Sequence, residues 1–262
     1  MTLYKTGELN LYYEIAGKGE PLILLNGLGC DTRTMQPLAE SLKGSFTVIN
    51  YDMRCVGQSD KPDTPFTLAD VAYETSQLIE HLGYEKIGVL GFSMGGMAAM
   101  ELFHLDRDIV GKMCLVSTTP SFRRPSPVAE EMLSMLRSTE ISNALLKQVY
   151  ESMFGNSFRK AHPLDEYIKL RMTDTNPQPL HAYLRQLAAC ESFDSFDNLK
   201  DINVPVLLVA GNEDGLVPAE NTKWLHKNIA GSELHVLNGV GHMAPLEAPK
   251  ELAAALLSSF SQ

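Results

Sequence analysis

The sequence predicts an α/β fold in which a mostly parallel sheet is covered by helices on both faces. Apolar segments of strand length alternate with amphipathic segments of helix length along most of the 262 residues. In addition, one strand runs directly into Gly-Phe-Ser-Met-Gly-Gly and then into a helix-forming segment. Alternation of this kind favours a parallel sheet, because each connecting helix carries the chain back across one face.

The individual strands follow from hydrophobic patterning. Leu9–Gly17 alternates with period two and ends in a Gly-rich turn, whereas the following strands are continuous apolar runs typical of strands buried on both faces. Between them, Leu68–Gly83 places apolar residues on one helical face and ends in a glycine. The remaining predicted strands are Pro21–Gly29, Phe46–Arg54, Lys86–Phe92, Lys112–Thr118, Pro205–Gly211 and Ser232–Asn238.

One long segment interrupts this alternation. Residues 120–198 contain no convincing buried strand and are typical of helices joined by proline-containing loops. We therefore expect a core formed by residues 1–119 and 199–262 and a helical cap formed by residues 120–198. Such a cap would cover the carboxyl edge of the strands, where open α/β sheets bind their ligands. Its methionines suit an adaptable apolar roof: Met132, Met135, Met153 and Met172.

Composition narrows the class of protein. Lys and Arg total 22 against 32 Asp and Glu, and the resulting formal charge of −10 argues against a nucleic-acid or anionic-membrane surface. The N-terminus lacks a secretory pattern and no apolar run is long enough to span a bilayer, so we expect a cytoplasmic protein. Four scattered cysteines form neither a CxxC pair nor a metal-like spacing, which predicts reduced thiols and no metal site.

The segment Gly91-Phe92-Ser93-Met94-Gly95 has the pattern of a nucleophile elbow. A sharp strand-to-helix turn strains the backbone of Ser93, and side chains at the two glycines would collide with the neighbouring strand and helix. The turn projects the hydroxyl clear of the sheet and places the next N–H at a helix N-terminus. Ser93 is therefore the predicted nucleophile.

A serine nucleophile needs a base and an orienting acid. Of seven histidines, His242 lies in a Gly-rich loop after the last strand, at the same sheet edge as Ser93. Asp214 follows the end of the preceding strand in a turn closed by Pro218, and the adjacent Glu213 is the alternative acid. We expect Ser93, His242 and Asp214 to form a catalytic triad.

The oxyanion of a tetrahedral intermediate requires two backbone donors. The loop Asn26-Gly27-Leu28-Gly29 follows an early strand, and its glycines let the backbone turn amides toward the site. We assign the N–H groups of Leu28 and Met94 to this role. The residues expected to contact substrate are Asn26, Cys30, Phe92 and Met243.

These motifs, in this order, resemble the α/β-hydrolase family over nearly the whole chain: "NGLG", "DMRCVGQSD", "GFSMGG", "GNEDGLVP" and "GVGHMAPLEAP". The resemblance implies an eight-stranded sheet with a helical cap. Two residues depart from the usual pattern. Cys55 stands where glycine is usual, so its backbone either avoids positive φ or is strained. Asn26 replaces a histidine that commonly supports the oxyanion loop.

Asn26 and the residues after it are similar to 3-oxoadipate enol-lactonases, so the expected function is hydrolysis of a small carboxylic ester or lactone through an acyl-enzyme, with no cofactor. The alternatives are a carbon–carbon bond hydrolase or perhydrolase on the same scaffold, and a hydrolase-like receptor that senses a small ligand. A basic residue aimed inward from the cap would favour an acidic lactone. The arginines available for that contact are Arg123, Arg124, Arg171 and Arg185.

Overall fold

The computed structural model describes residues 2–122, 134, 137, 142–172 and 175–260. Their core is one eight-stranded sheet with strand order β1-β2-β4-β3-β5-β6-β7-β8. The pairs β1–β2 and β2–β4 are antiparallel, and every later pair is parallel. The strands are β1 Thr2–Thr6, β2 Leu9–Gly17, β3 Glu20–Leu25, β4 Phe46–Tyr51, β5 Ile87–Phe92, β6 Val110–Val116, β7 Val206–Gly211 and β8 Glu233–Leu237.

The predicted mostly parallel sheet is confirmed, with one strand that the patterning did not show. β1 was missed because its residues are largely exposed at the sheet edge, so Thr2–Thr6 carries no buried apolar run. Its only local signal is the following turn, in which Gly7 has φ +57°. The predicted Phe46–Arg54 strand ends at Tyr51, where the chain leaves the sheet in a loop.

Helices cover both faces of the sheet. On one face, Leu78 of α2 and Phe103 of α3 belong to a buried cluster that also contains Ile23 of β3. On the other face, Leu38 of α1 and Leu256 of α10 pack with a second cluster. The described part of the chain includes the helices α1 Thr32–Leu42, α2 Leu68–His81, α3 Met94–Leu105, α4 Asn143–Met153, α5 Asn156–Ala161, α6 Leu164–Met172, α7 Leu180–Ser192, α8 Ala219–Asn228, α9 Ala244–Glu247 and α10 Pro249–Phe260.

The chain between β6 and β7, here named the β6–β7 insertion (residues 117–205), contains α4 to α7 and a 3₁₀ turn at Phe196–Asp201. Its two ends meet beside the sheet, where Ser121 and Asp194 form an isolated antiparallel bridge and the Ser195 N–H donates to the Pro120 carbonyl at 2.9 Å. The insertion therefore leaves and rejoins the core at one place. Met132 and Met135 lie outside the described residues.

Within the described part of the chain, no helix has both the length and the apolar character that crossing a membrane requires. The four cysteines are all buried, and the structure shows no disulfide at Cys30, Cys55, Cys114 or Cys190.

Candidate active site

Ser93 lies between the end of β5 and the start of α3, with φ +53° and ψ −117°. This left-handed backbone is costly for a residue with a side chain and is kept where neighbouring structure enforces it. The neighbours leave no space for side chains beside the turn: a Cβ on Gly91 would lie 2.4 Å from the Gly95 carbonyl oxygen, and one on Gly95 only 2.0 Å from the Leu25 carbonyl oxygen. The two glycines therefore let strand, turn and helix pack at backbone contact.

The backbone of Ser93 is held on both sides by β6 and the residues after it. Its N–H donates to the Val116 carbonyl at 2.9 Å, and its carbonyl accepts from the Thr118 hydroxyl at 2.7 Å. The serine is thus fixed at the carboxyl edge of the central strands, facing the loops after β7 and β8.

Three side chains meet at this edge in a hydrogen-bonded chain. His242 Nε2 lies 3.0 Å from Ser93 Oγ, and His242 Nδ1 lies 2.8 Å from Asp214 Oδ2. The other carboxylate oxygen of Asp214 accepts from the N–H groups of Leu216 and Val217, at 2.9 and 2.8 Å. Since a carboxylate is acceptor-only, Nδ1 carries the proton and Nε2 is free to accept from the serine hydroxyl.

The structure also separates the two candidate acids. Asp214 is hydrogen-bonded to the imidazole, whereas Glu213 accepts from the Asn156 N–H at 2.6 Å. The side chains of His242 and Asp214 are 3% and 0% exposed, so their ion pair, when His242 is protonated, is shielded from solvent.

The loop that carries His242 is braced by the β6–β7 insertion. The Met153 carbonyl accepts from the N–H groups of His242 at 2.8 Å and of Met243 at 3.3 Å. The Glu247 carboxylate accepts from Gly155 N–H at 2.8 Å and from Gly241 N–H at 3.1 Å. Burial raises the pKa of Glu247, and these backbone donors oppose the shift by stabilising the ionised form.

Sequence reasoning missed these two braces. Gly155 and Gly241 could have indicated them, because each approaches foreign backbone too closely for a side chain: a Cβ on Gly155 would lie 2.3 Å from the Gly239 carbonyl oxygen. A glycine, however, does not reveal which distant segment it contacts. The contact became visible only in the fold.

The loop after β3 turns at Gly27–Cys30, where the Cys30 N–H donates to the Gly27 carbonyl at 3.1 Å and Gly29 has φ +68°. This loop lies directly against Ser93, since a Cβ on Gly27 would be 3.4 Å from the Cβ of Ser93. The chain thus brings the loop containing Leu28 and the N-terminal end of α3 at Met94 together beside Ser93.

The four residues expected at the substrate are all buried: Asn26, Cys30, Phe92 and Met243. Asn26 Nδ2 donates to the Tyr51 carbonyl at 2.9 Å, so this amide ties the loop after β3 to β4. The Phe92 ring lies 5.2 Å, centroid to centroid, from the imidazole of His242.

The loop after β4 supports the same edge of the sheet. Asp52 accepts from the N–H groups of Thr32 and Gln58, each at 2.7 Å. Cys55 adopts φ +76°, so this residue in the usual glycine position is strained, at a cost of about 1–3 kcal/mol. Next to it, Arg54 forms a buried ion pair with Glu74, and burial raises the pKa of Glu74 to about 6 although the guanidinium opposes that shift.

Of the four arginines considered for an acidic substrate, Arg185 forms an ion pair with Asp63 at 3.0 Å. Arg123 and Arg124 lie outside the described residues, as does the side chain of Arg171. Among the residues that the structure describes, no group of three or more His, Cys, Asp or Glu side chains is arranged to hold a metal ion.

Comparison with known proteins agrees with this architecture. The poly(3-hydroxyalkanoate) depolymerase of Ectopseudomonas oleovorans is 25% identical over 92% of this chain and 84% of its own length. The pimeloyl-[acyl-carrier protein] methyl ester esterase of Vibrio cholerae is 28% identical over 96% of this chain and 98% of its own. The enol-lactonase of Burkholderia xenovorans LB400 superposes with a TM-score of 0.86 at 21% identity, over 100% of both chains, which shows a shared fold.

A model of the alpha/beta hydrolase family matches residues 22–255, which include every strand from β4 to β8 and each motif noted in the sequence. Family match, strand order and fold similarity agree, and the chain belongs to the α/β-hydrolase family.

Proposed function

We propose that this α/β hydrolase cleaves a small carboxylic ester or lactone through an acyl-enzyme on Ser93. The observation that carries the proposal is the continuous hydrogen-bonded chain from Ser93 Oγ through His242 to Asp214. A neutral serine is a weak nucleophile, and a base within hydrogen-bond distance of its hydroxyl is what activates it.

In the first half-reaction, Ser93 Oγ attacks the substrate carbonyl while His242 Nε2 takes the hydroxyl proton. Asp214 holds the Nδ1–H tautomer and stabilises the imidazolium that forms. His242 then donates that proton to the leaving alkoxide, and the acyl group remains bonded to Ser93. In a lactone, the leaving alkoxide stays attached to the acyl group as the ring opens.

In the second half-reaction, His242 takes a proton from water as the water oxygen attacks the acyl carbonyl. Collapse of the tetrahedral intermediate returns the proton to Ser93 Oγ and releases the carboxylic acid. In both steps the negative oxygen is stabilised by the N–H groups of Leu28 and Met94, the latter at the positive end of the α3 dipole.

We further propose that residues 120–198 act as a cap over this site. The bridge between Ser121 and Asp194 ties the two ends of the segment to each other, and the Met153 carbonyl accepts from the N–H groups of His242 and Met243. A cap in this place would select the substrate by the space that it leaves above Ser93. The activities named for two similar proteins, methyl ester hydrolysis and enol-lactone hydrolysis, both act on an acyl carbonyl, the group that Ser93 would attack.

The test is hydrolysis of aryl esters of increasing acyl length and of an enol-lactone, with Ser93→Ala as the control. We expect sustained turnover by the wild type and a loss of at least about 10⁴-fold in kcat in Ser93→Ala. Turnover that survives in Ser93→Ala would contradict the proposal. A single burst without further turnover would show acylation without deacylation and would favour the ligand-sensing alternative.

A further inference from the structure

Gln186 lies on α7 in the β6–β7 insertion and is 1% exposed. Its amide joins three separate segments of the chain. Oε1 accepts from the Gly29 N–H at 3.1 Å and from Gln178 Nε2 at 2.9 Å, while Nε2 donates to the Arg54 carbonyl at 3.0 Å. The first of these contacts connects the insertion to the turn beside Ser93.

The geometry of that turn gives the contact a specific consequence. The Gly27 carbonyl accepts from the Cys30 N–H, which closes a four-residue turn. Positive φ at the third residue of that turn, Gly29, is the signature of type II. Types I and II differ by a flip of the central peptide, here the one between Leu28 and Gly29. The flip would point the Gly29 N–H to the opposite face, away from Gln186, so this hydrogen bond stabilises the type II form.

Both peptide planes that flank Leu28 are thereby fixed. The Cys30 N–H holds the Gly27 carbonyl, and in a planar trans peptide the Leu28 N–H points in the opposite direction to that carbonyl. Gln186 holds the next plane through the Gly29 N–H. Without the Gln186 bond, the peptide between Leu28 and Gly29 is free to flip, and the turn whose Gly27–Cys30 bond orients the Leu28 N–H loses one of its two fixed planes.

We propose that Gln186 is a positioning residue for the oxyanion hole: from the insertion, it holds the Gly27–Cys30 turn in the form that presents the Leu28 N–H to the reacting carbonyl. The inference rests on the proposed function, since it assigns a role in stabilising that oxyanion. It also makes the oxyanion hole dependent on the docking of α7.

The same helix supplies a matched control. His181 Nε2 lies 3.0 Å from the Lys61 carbonyl oxygen, so this side chain also joins α7 to the core. It contacts the loop after β4 and has no hydrogen bond to the Gly27–Cys30 turn among those the structure describes. Loss of His181 therefore weakens α7 docking without releasing the turn directly.

The experiment compares wild type, Gln186→Met, Gln186→Glu and His181→Ala, each first checked for folding by circular dichroism. Gln186→Met keeps the length of the side chain and removes both polar ends, whereas Gln186→Glu restores an acceptor for the Gly29 N–H. Steady-state kinetics on one aryl ester give kcat and KM. Inhibition is measured with a trifluoromethyl ketone, whose serine adduct carries an oxyanion, and with the matching ether, which forms none.

In Gln186→Met we expect kcat to fall about 10- to 100-fold, which is no more than the fall caused by removing an oxyanion-hole donor outright. KM should change by less than about threefold. Ketone inhibition should weaken by a similar factor to kcat while ether binding stays unchanged. Gln186→Glu should recover most of kcat, and His181→Ala should stay within about threefold of wild type in every quantity.

A folded Gln186→Met protein with wild-type kcat, or equal weakening of ketone and ether, would overturn the inference while leaving the triad intact. If Gln186→Met does not fold, Gln186→Glu decides alone. This variant keeps the acceptor for the Gly29 N–H, so a folded Gln186→Glu protein that lost ketone affinity would contradict the positioning role. Absence of Ser93-dependent turnover in the wild type would instead overturn the proposed function, and this inference with it.

Discussion

The nucleophile elbow and the His242 loop meet at one site but are held in place by different means. The elbow is fixed by its own glycines, by Val116 at the end of β6 and by Thr118 just after that strand. The His242 loop is held by a carbonyl from the β6–β7 insertion, at Met153, and by a carboxylate from α9, at Glu247. Ser93 therefore depends on backbone packing within the sheet, whereas His242 depends on a carboxylate close by in sequence and on a carbonyl from the distant insertion.

The largest effect is expected on the base side, from Asp214→Asn. An amide at this position would no longer hold the imidazole in the Nδ1–H tautomer, so kcat should fall on the order of 10⁴-fold with little change in folding. Glu213→Gln is the matched control, since Glu213 contacts Asn156 and not the imidazole. Steady-state kinetics in which the Glu213 variant lost more activity than the Asp214 variant would reverse the assignment of the acid.

At the Ser93 turn, the corresponding test is a substitution that creates a steric clash. In Gly95→Ala the new Cβ would lie 2.0 Å from the Leu25 carbonyl oxygen, so we expect the free energy of unfolding to drop by roughly 3 kcal/mol or more. Gly44→Ala is the control, because nothing lies within 4 Å of its Cβ position. Urea unfolding that gave equal midpoints for the two variants would show that the elbow is not packed as described.

A smaller effect concerns the loop to which the insertion docks, and it depends on pH. Burial raises the pKa of Glu74 to about 6, so the folded protein binds this proton more tightly than the unfolded chain does. The stabilisation that this tighter proton binding gives to the folded protein is fully present below about pH 4.5 and is lost as pH rises through 6. The free energy of unfolding therefore falls by about 2 kcal/mol across this range.

The measurement is the free energy of unfolding of wild type and Glu74→Gln from pH 4.5 to 7.5. We expect the wild type to lose stability relative to the variant as pH rises, because the glutamine does not titrate. Parallel curves would mean that the Arg54 ion pair cancels the effect of burial on this carboxyl.

The smallest effect tests the brace on the His242 loop. In Glu247→Gln one acceptor oxygen becomes an NH₂ facing the N–H groups of Gly155 or Gly241, which should lower kcat about 10-fold. Glu251→Gln, on the exposed side of α10, is the control. If Glu247→Gln lost stability but kept kcat, the carboxylate would support the fold without positioning the base.

Much of the site could be predicted from the sequence because its signals are local. The Ser93 turn requires glycines within two residues, and its strand and helix are adjacent in the chain. The position of His242 followed from the end of the last strand. Boundaries were less exact: Phe46–Arg54 ended early because its last residues leave the sheet, and β1 was missed because an exposed edge strand needs no apolar run.

The sequence by itself determined the α/β-hydrolase fold and the places in the chain from which the proposed nucleophile, acid and base come, since periodicity and turn residues encode backbone conformation nearby. Only the tertiary structure showed that Asp214 is hydrogen-bonded to His242 while Glu213, in the same turn, accepts from the Asn156 N–H. It alone also joined Gly29 to Gln186, 157 residues away, and Gly155 to Glu247, 92 residues away. Contacts of that range arise from how helices and loops pack on the sheet, and no local pattern records them.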